Sequence, residues 1–267
     1  VRDRKSLRVG VGILRLGLPT LLMAASAAAA GTYEILHDFD VIALRQEYGY
    51  AENPAILKWE EPIHYRVARH AEVDDAEVEF LESYLQTLAG ITRLPFTPVS
   101  RMSEANFRIL FVNQKDVPEI ARRTFTGDRR IIDYVIERAN CLTLYGSNKR
   151  GALDSVTVLI PVDGKDRGQL RRCVLEETTQ AMGLINDAPD VGVSLFNSRG
   201  GRVERLNTHD RTLLELLYDP RIKAGMPREE ALRIVREILT AQDRTPSGPD
   251  ETGRYPAPHE SRLQPAD

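Results

Sequence analysis

Cys173-Val-Leu-Glu-Glu-Thr-Thr-Gln-Ala-Met-Gly-Leu-Ile-Asn-Asp187 is the stretch on which the reading of this chain turns. Between Leu170 and Leu184 the apolar residues recur at helical spacing, and Gly183 with Asn186-Asp187 supplies a stop signal. At about 100° per residue, Leu170, Cys173, Val174, Ala181 and Leu184 share one arc of that helix. Glu177 lies near the middle of the arc, with Gln180 at its edge and Glu176 beside Gln180. A carboxylate in the centre of an apolar face needs a partner, a metal or a proton. The stretch therefore marks a site without naming its reaction.

Outward from this helix, the chain has 267 residues, 42% of them hydrophobic, enough for a substantial core. A formal net charge of -3 leaves no footprint for nucleic acid, and no basic run is interleaved with aromatics. At the N-terminus, Arg2, Arg4, Lys5 and Arg8 precede an apolar segment reaching about Ala25. Ala-x-Ala steps ending at Ala28, Ala29 or Ala30 complete the pattern of a signal peptide over residues 1–30. Arg15 interrupts the apolar segment, which argues against a spanning helix and leaves no transmembrane span after cleavage. The expected location is periplasmic or secreted. In that compartment Cys141 and Cys173 point to a disulfide, two buried thiols being the other reading.

Residues 31–58 read as an irregular lead-in segment. A strand is expected from Trp59 to Val67, a helix from about Ala76 to Leu88, and strands at Asn106–Val112, Cys141–Tyr145 and Asp154–Ile160. Val117 to Arg123 fits a short helix, and Arg122, Arg123, Arg129 and Arg130 fit a solvated loop. After the site helix come a loop, a capped helix near Leu206–Tyr218 and an amphipathic helix over Arg228–Thr240. Residues 241–267, rich in Pro, Gly and charge, read as a disordered tail. The fold class is α+β: a small mixed sheet with a long helix and a site helix over 59–185, then a mainly helical lobe over 186–240.

Glu176-Glu-Thr-Thr-Gln-Ala-Met-Gly183 resembles the zinc-binding helix of metzincin metalloproteases, whose pattern is His-Glu-x-x-His-x-x-Gly-x-x-His. Glu176 and Gln180 stand at the first two histidine positions, Glu177 at the general base, and Asn186 at the third ligand. Ser194-Leu-Phe-Asn197 is similar to the methionine turn of those enzymes, with Phe196 in the methionine's place, and Leu217-Tyr218 to the end of their closing helix. The resemblance implies a zincin-like fold over about residues 59–220. Cys173 to Gly183, Asn186-Asp187, Ser194-Leu-Phe-Asn197 and Leu217-Tyr-Asp-Pro220, with Gly225-Met226, also resemble a family of exported proteobacterial proteins of unknown function, DUF2927.

The departures govern the functional expectation. Zinc prefers imidazole and thiolate, and the amides of Gln180 and Asn186 are poor ligands for it. Glu176, Gln180, Asn186 and Asp187 would offer oxygens suited to calcium, magnesium or manganese. No standard zinc site is visible, and no cofactor is implied. One reading is a zincin-like protein that has lost zinc-dependent catalysis and acts by binding or structure in the cell envelope, with a peptide or envelope protein as partner. The other is a peptidase-like hydrolase with Glu177 as general base, in which Tyr218 or His209 would stabilise an oxyanion.

Overall fold

The structure, a computed structural model, describes residues 20–45, 55–197 and 203–243. The basic start of the expected signal peptide and the tail beyond 243 lie outside the described residues. Five strands form one mixed sheet: β1 (Ile63–Arg69), β2 (Phe96–Pro98), β3 (Phe107–Val112), β4 (Leu142–Ser147) and β5 (Leu153–Pro161). Their order is β2-β1-β3-β5-β4. The first four neighbours run parallel, and β4 runs antiparallel to β5 at the edge. The α+β class expected from the sequence holds.

β3 and β5 are interior strands with helices over both faces, which explains their nearly continuous apolar sequences. On one face, Phe107, Ile109, Phe111, Val156, Val158 and Ile160 join the main core. There they meet α2 (Asp75–Thr92), through Val78, Leu81, Leu85 and Leu88, and α5 (Arg167–Gln180), through Leu170 and Val174. The spacing of those residues gives each helix one apolar stripe. On the other face, Leu110, Val112 and Leu159 pack under α3 (Val117–Thr124) and α4 (Arg129–Ile136).

Two elements correct the sequence reading. Much of the stretch expected to be irregular is helical: α1 runs Thr20–Leu44, and Phe39, Ile42, Ala43 and Leu44 are core residues. Ile35, Leu36, Phe39, Ile42 and Ala43 follow the helical period, and burial against α6 (Thr208–Leu217) and α7 (Arg228–Asp243) stabilises them. Tertiary packing outweighs a local sequence crowded with His37, Asp38 and Asp40. Likewise the arginine cluster expected in a loop is partly α4, because Asp128 caps its first turn by accepting from the Arg130 N–H at 2.8 Å. Ile132 and Val135 then bury the inner face of α4, leaving its arginines in solvent.

Residues on both sides of position 185 share the main core, which extends from Phe39 to Leu239. The tail reading meets helix as far as Asp243. Among the described residues, no helix is long and apolar enough to cross a membrane.

Candidate functional site

α5 begins with a capping box: the Asp166 carboxylate accepts from the Gln169 N–H, and the Gln169 side chain accepts from the Asp166 N–H. The predicted arc is buried: Leu170, Cys173 and Val174 lie on the inner face of α5, and Ala181 and Leu184, past its end at Gln180, are also in the core. Glu177 is buried on that face, at 8% exposure. Its answer is Thr143 of β4, whose hydroxyl lies 2.7 Å from Glu177 Oε2 and 3.0 Å from the Glu177 carbonyl oxygen. Leu142 and Leu144 turn to the opposite face of the sheet, so strand alternation delivers Thr143 to the helix.

A disulfide joins Cys141 to Cys173, with the Cα atoms 5.9 Å apart. Cys141 precedes Thr143 by two residues, and Cys173 precedes Glu177 by four. Two strand residues advance about 6.6 Å and four helical residues about 6 Å. The disulfide and the Thr143–Glu177 contact are therefore successive rungs between α5 and β4. Closing a loop of 32 residues, the covalent rung contributes about 3–4 kcal/mol through restriction of the unfolded chain.

The other residues singled out from the sequence divide into separate contacts. Glu176 accepts from Arg172 Nε at 3.3 Å, one helical turn earlier, and Arg172 also donates to the Asn197 carbonyl at 3.2 Å. The Gln180 amide donates to Asp187 Oδ1 at 2.8 Å, so this pair does converge. Asn186 points elsewhere: its side-chain amide donates to the Val41 carbonyl at 2.9 Å, and its N–H to the Ile42 carbonyl at 3.1 Å. The position matching a third metal ligand thus fastens α1.

The C-terminal end of α5 is held from several directions. Gly183 has φ +109°, and a Cβ there would run into the Leu57 carbonyl oxygen, so glycine is required by both conformation and space. The Trp59 indole N–H donates to the Ala181 carbonyl at 2.9 Å. The Tyr218 hydroxyl donates to the Met182 carbonyl at 2.9 Å and accepts from the Trp59 N–H at 3.2 Å. Carbonyls left over at the helix end are satisfied in this way. Burial pushes the Tyr218 hydroxyl pKa far up, keeping it a neutral donor. Nearby, Lys58 Nζ donates to the carbonyls of Leu217 and Ile222 at 2.8 and 3.0 Å and lies over the Tyr218 ring. Burial lowers its pKa to about 8.

Neither oxyanion candidate is placed for that task. Tyr218 is engaged with the backbone, and His209 lies between two carboxylates, 2.9 Å from Asp38 and 3.1 Å from Asp210. The Ser194–Asn197 loop does support the site helix. Phe196 is fully buried in the core, Ser194 and Leu195 bond to Asp210, and Asn197 receives Arg172. Sequence reasoning missed Thr143, Arg172 and Asp38. Strand alternation could have found the first and i,i+4 pairing with Glu176 the second. Asp38 required knowing that α1 is a helix.

The family described as a protein of unknown function, DUF2927, matches residues 32–237. The chain belongs to that family. The match starts inside α1 and ends inside α7, so the family's extent takes in the docked half of α1, the rungs and the Ser194–Asn197 loop. No curated protein matches the sequence.

Zinc does not fit the residues at the metzincin-like positions. Glu176 is paired with Arg172, the Gln180 amide presents a donor to Asp187, and Asn186 is turned to the α1 backbone. Among the described residues no group of three or more His, Cys, Asp or Glu side chains is arranged to hold a metal ion.

Proposed function

We propose that this member of DUF2927 is a zincin-like scaffold of the periplasm or the secreted fraction that acts by binding rather than by zinc-dependent hydrolysis. The observation that carries this reading is the use made of the motif: each position where a zinc protease needs a ligand or base is engaged with a neighbour in the fold. Thr143 holds Glu177, Arg172 holds Glu176, Asp187 receives Gln180, and the α1 backbone receives Asn186. A motif that serves as a satisfied polar network stabilises the fold it once equipped for chemistry. The sheet order, with three parallel pairings and an antiparallel edge strand beside the site helix, supports the zincin-like assignment.

The surface that the scaffold offers is the outer edge of β4. Among the described residues no further strand pairs with it, and Tyr145 stands half-exposed two residues beyond Thr143 on the same face. Such an edge binds an extended peptide through backbone hydrogen bonds, with side chains such as Tyr145 choosing among sequences. The expected partner is an unfolded or extended segment of an envelope protein.

Metal analysis of protein beginning at Gly31, purified without chelator, tests the reading. We expect no stoichiometric metal, and no peptidase activity that Glu177→Gln removes. One equivalent of metal that disappears in Glu176→Ala or Gln180→Ala would overturn it. Peptide hydrolysis abolished by Glu177→Gln would replace it with the hydrolase reading.

A further inference from the structure

His209 is in the first turn of α6, and both of its ring nitrogens face carboxylates. Nε2 is 2.9 Å from Asp38 Oδ2 on α1, and Nδ1 is 3.1 Å from Asp210 Oδ1 on α6. Asp38 and Asp210 are buried, whereas the imidazole keeps 23% of its surface. A neutral imidazole has a single N–H, so it can donate to only one of two carboxylates and turns a lone pair to the other. With both carboxylates ionised, the arrangement is satisfied on both sides only by the imidazolium.

We propose that Asp38, His209 and Asp210 form a proton-operated clasp that seats α1 while His209 is charged and loosens it when the proton leaves. Without that proton, one of the two buried carboxylates loses its ring N–H donor and faces a lone pair instead, which is destabilising even where its other contacts persist. The site feels the same event. Asp210 Oδ1 also accepts from Ser194 Oγ at 2.6 Å, and Oδ2 from the Leu195 N–H at 2.8 Å. That loop carries Asn197, whose carbonyl anchors Arg172 and through it Glu176. A single carboxylate is thus shared between the seat of α1 and the support of α5.

The surrounding groups favour the charged ring. From α1 come Asp38, itself 3.1 Å from His37 Nδ1, and Asp40, which is bound by Arg228 of α7 and by Arg45. From α6 comes Asp210, and from the described part of the loop come the Ser194 hydroxyl and the Leu195 N–H, both donated to Asp210. The hydrogen bond with Asp210 raises the His209 pKa, burial partly offsets it, and Asp38 raises it further. The folded value therefore exceeds the unfolded one, near 6.5. The stabilisation is complete below about 6.5 and is lost as pH rises through the folded value. The Asp40–Arg228 pair and the core contacts of Phe39 and Ile42 remain, so α1 loosens at its α6 contact rather than leaving the body.

This inference does not depend on whether the site binds or hydrolyses. Two measurements on the unaltered protein test it: the ring protonation of His209 by nitrogen NMR, and hydrogen exchange of Ile35–Phe39 around the clasp residue Asp38, corrected for intrinsic rates, across a pH series. His209→Gln serves only to assign the ring signals. We expect the His209 ring to keep both protons to higher pH than the histidines of the urea-unfolded chain titrated alongside it. Protection of α1 should fall by up to about tenfold per pH unit along the same titration. A His209 ring that loses its proton no later than the histidines of the unfolded chain, or α1 protection that ignores the His209 transition, would overturn the clasp.

Discussion

The two halves of α5 face the same difficulty and meet it differently. In the first half, Arg167 and Arg171 reach across to α2 and clasp buried Glu77, with Nε to carboxylate distances of 2.6 and 2.8 Å. In the second half the buried carboxylate belongs to α5 itself, and β4 answers it with a disulfide and a hydroxyl. The first fastening is ionic, reaching solvent through arginines that are 64% and 33% exposed. The second is short, covalent in one rung and uncharged on the strand side in the other. Ion pairs tolerate small shifts between elements and respond to salt and pH. Hydroxyl and disulfide rungs fix one geometry. A helix whose front half is a mount and whose rear half is a registered seam against the edge strand has the division expected of a positioned site.

The largest expected effect lies at the end of the registered half. Gly183→Ala places a Cβ against the Leu57 carbonyl in a left-handed conformation. It should cost about 4 kcal/mol, measured by urea denaturation. A loss under about 1 kcal/mol would mean that this end of α5 yields, and the contrast between the halves would collapse.

Next comes the mount. Glu77→Ala leaves two arginines without their shared acceptor and should cost about 2–3 kcal/mol, moderated by their exposure. Burial pushes the Glu77 pKa up, but the hydrogen bonds and charges of Arg171 and Arg167 outweigh it, and the net shift is downward. The stabilisation is accordingly present above an ordinary value of about 4.5 and lost as pH falls through the folded value. Urea midpoints measured from pH 6 down to pH 3 should converge for Glu77→Ala and the parent protein. Curves that stay parallel would remove the ionic character assigned to this half.

The smallest effect sharpens the comparison. Thr143→Val removes the hydroxyl given to Glu177 at nearly constant volume and should cost about 1–2 kcal/mol, with Thr143→Ser restoring most of it. Equal stability of all three in thermal denaturation would reduce the Thr143 rung to a bystander.

How much of this was legible in the sequence depends on the distance over which each signal acts. The buried face of α5 is legible because Leu170, Cys173 and Val174 repeat at one period within a single segment, although the helix stops at Gln180, short of Ala181 and Leu184. The strands at β3 and β5 declared themselves by composition, and two cysteines in one chain sufficed for their pairing. Helix α1 did not declare itself, since Phe39 and Ile42 are helical through contact with α6 and α7, nearly two hundred residues later. α4 was hidden for a related reason: an arginine cluster looks like a loop until Ile132 and Val135 have a sheet to cover. The site divides in the same way. That Glu177 is buried followed from its own helix, whereas its donor Thr143 and the turning of Asn186 toward α1 are tertiary facts, invisible to local spacing.

Asn186 has a bearing on how far the chain can be shortened from its N-terminal side. Its two hydrogen bonds to the carbonyls of Val41 and Ile42, with Phe39 and Ile42 wholly enclosed, make the last turns of α1 part of the folded body. A series of N-terminal truncations meets a ruler there. Cuts past Asp38 strip side chains that other helices require. The folded body itself therefore sets how far the chain can be shortened from that side.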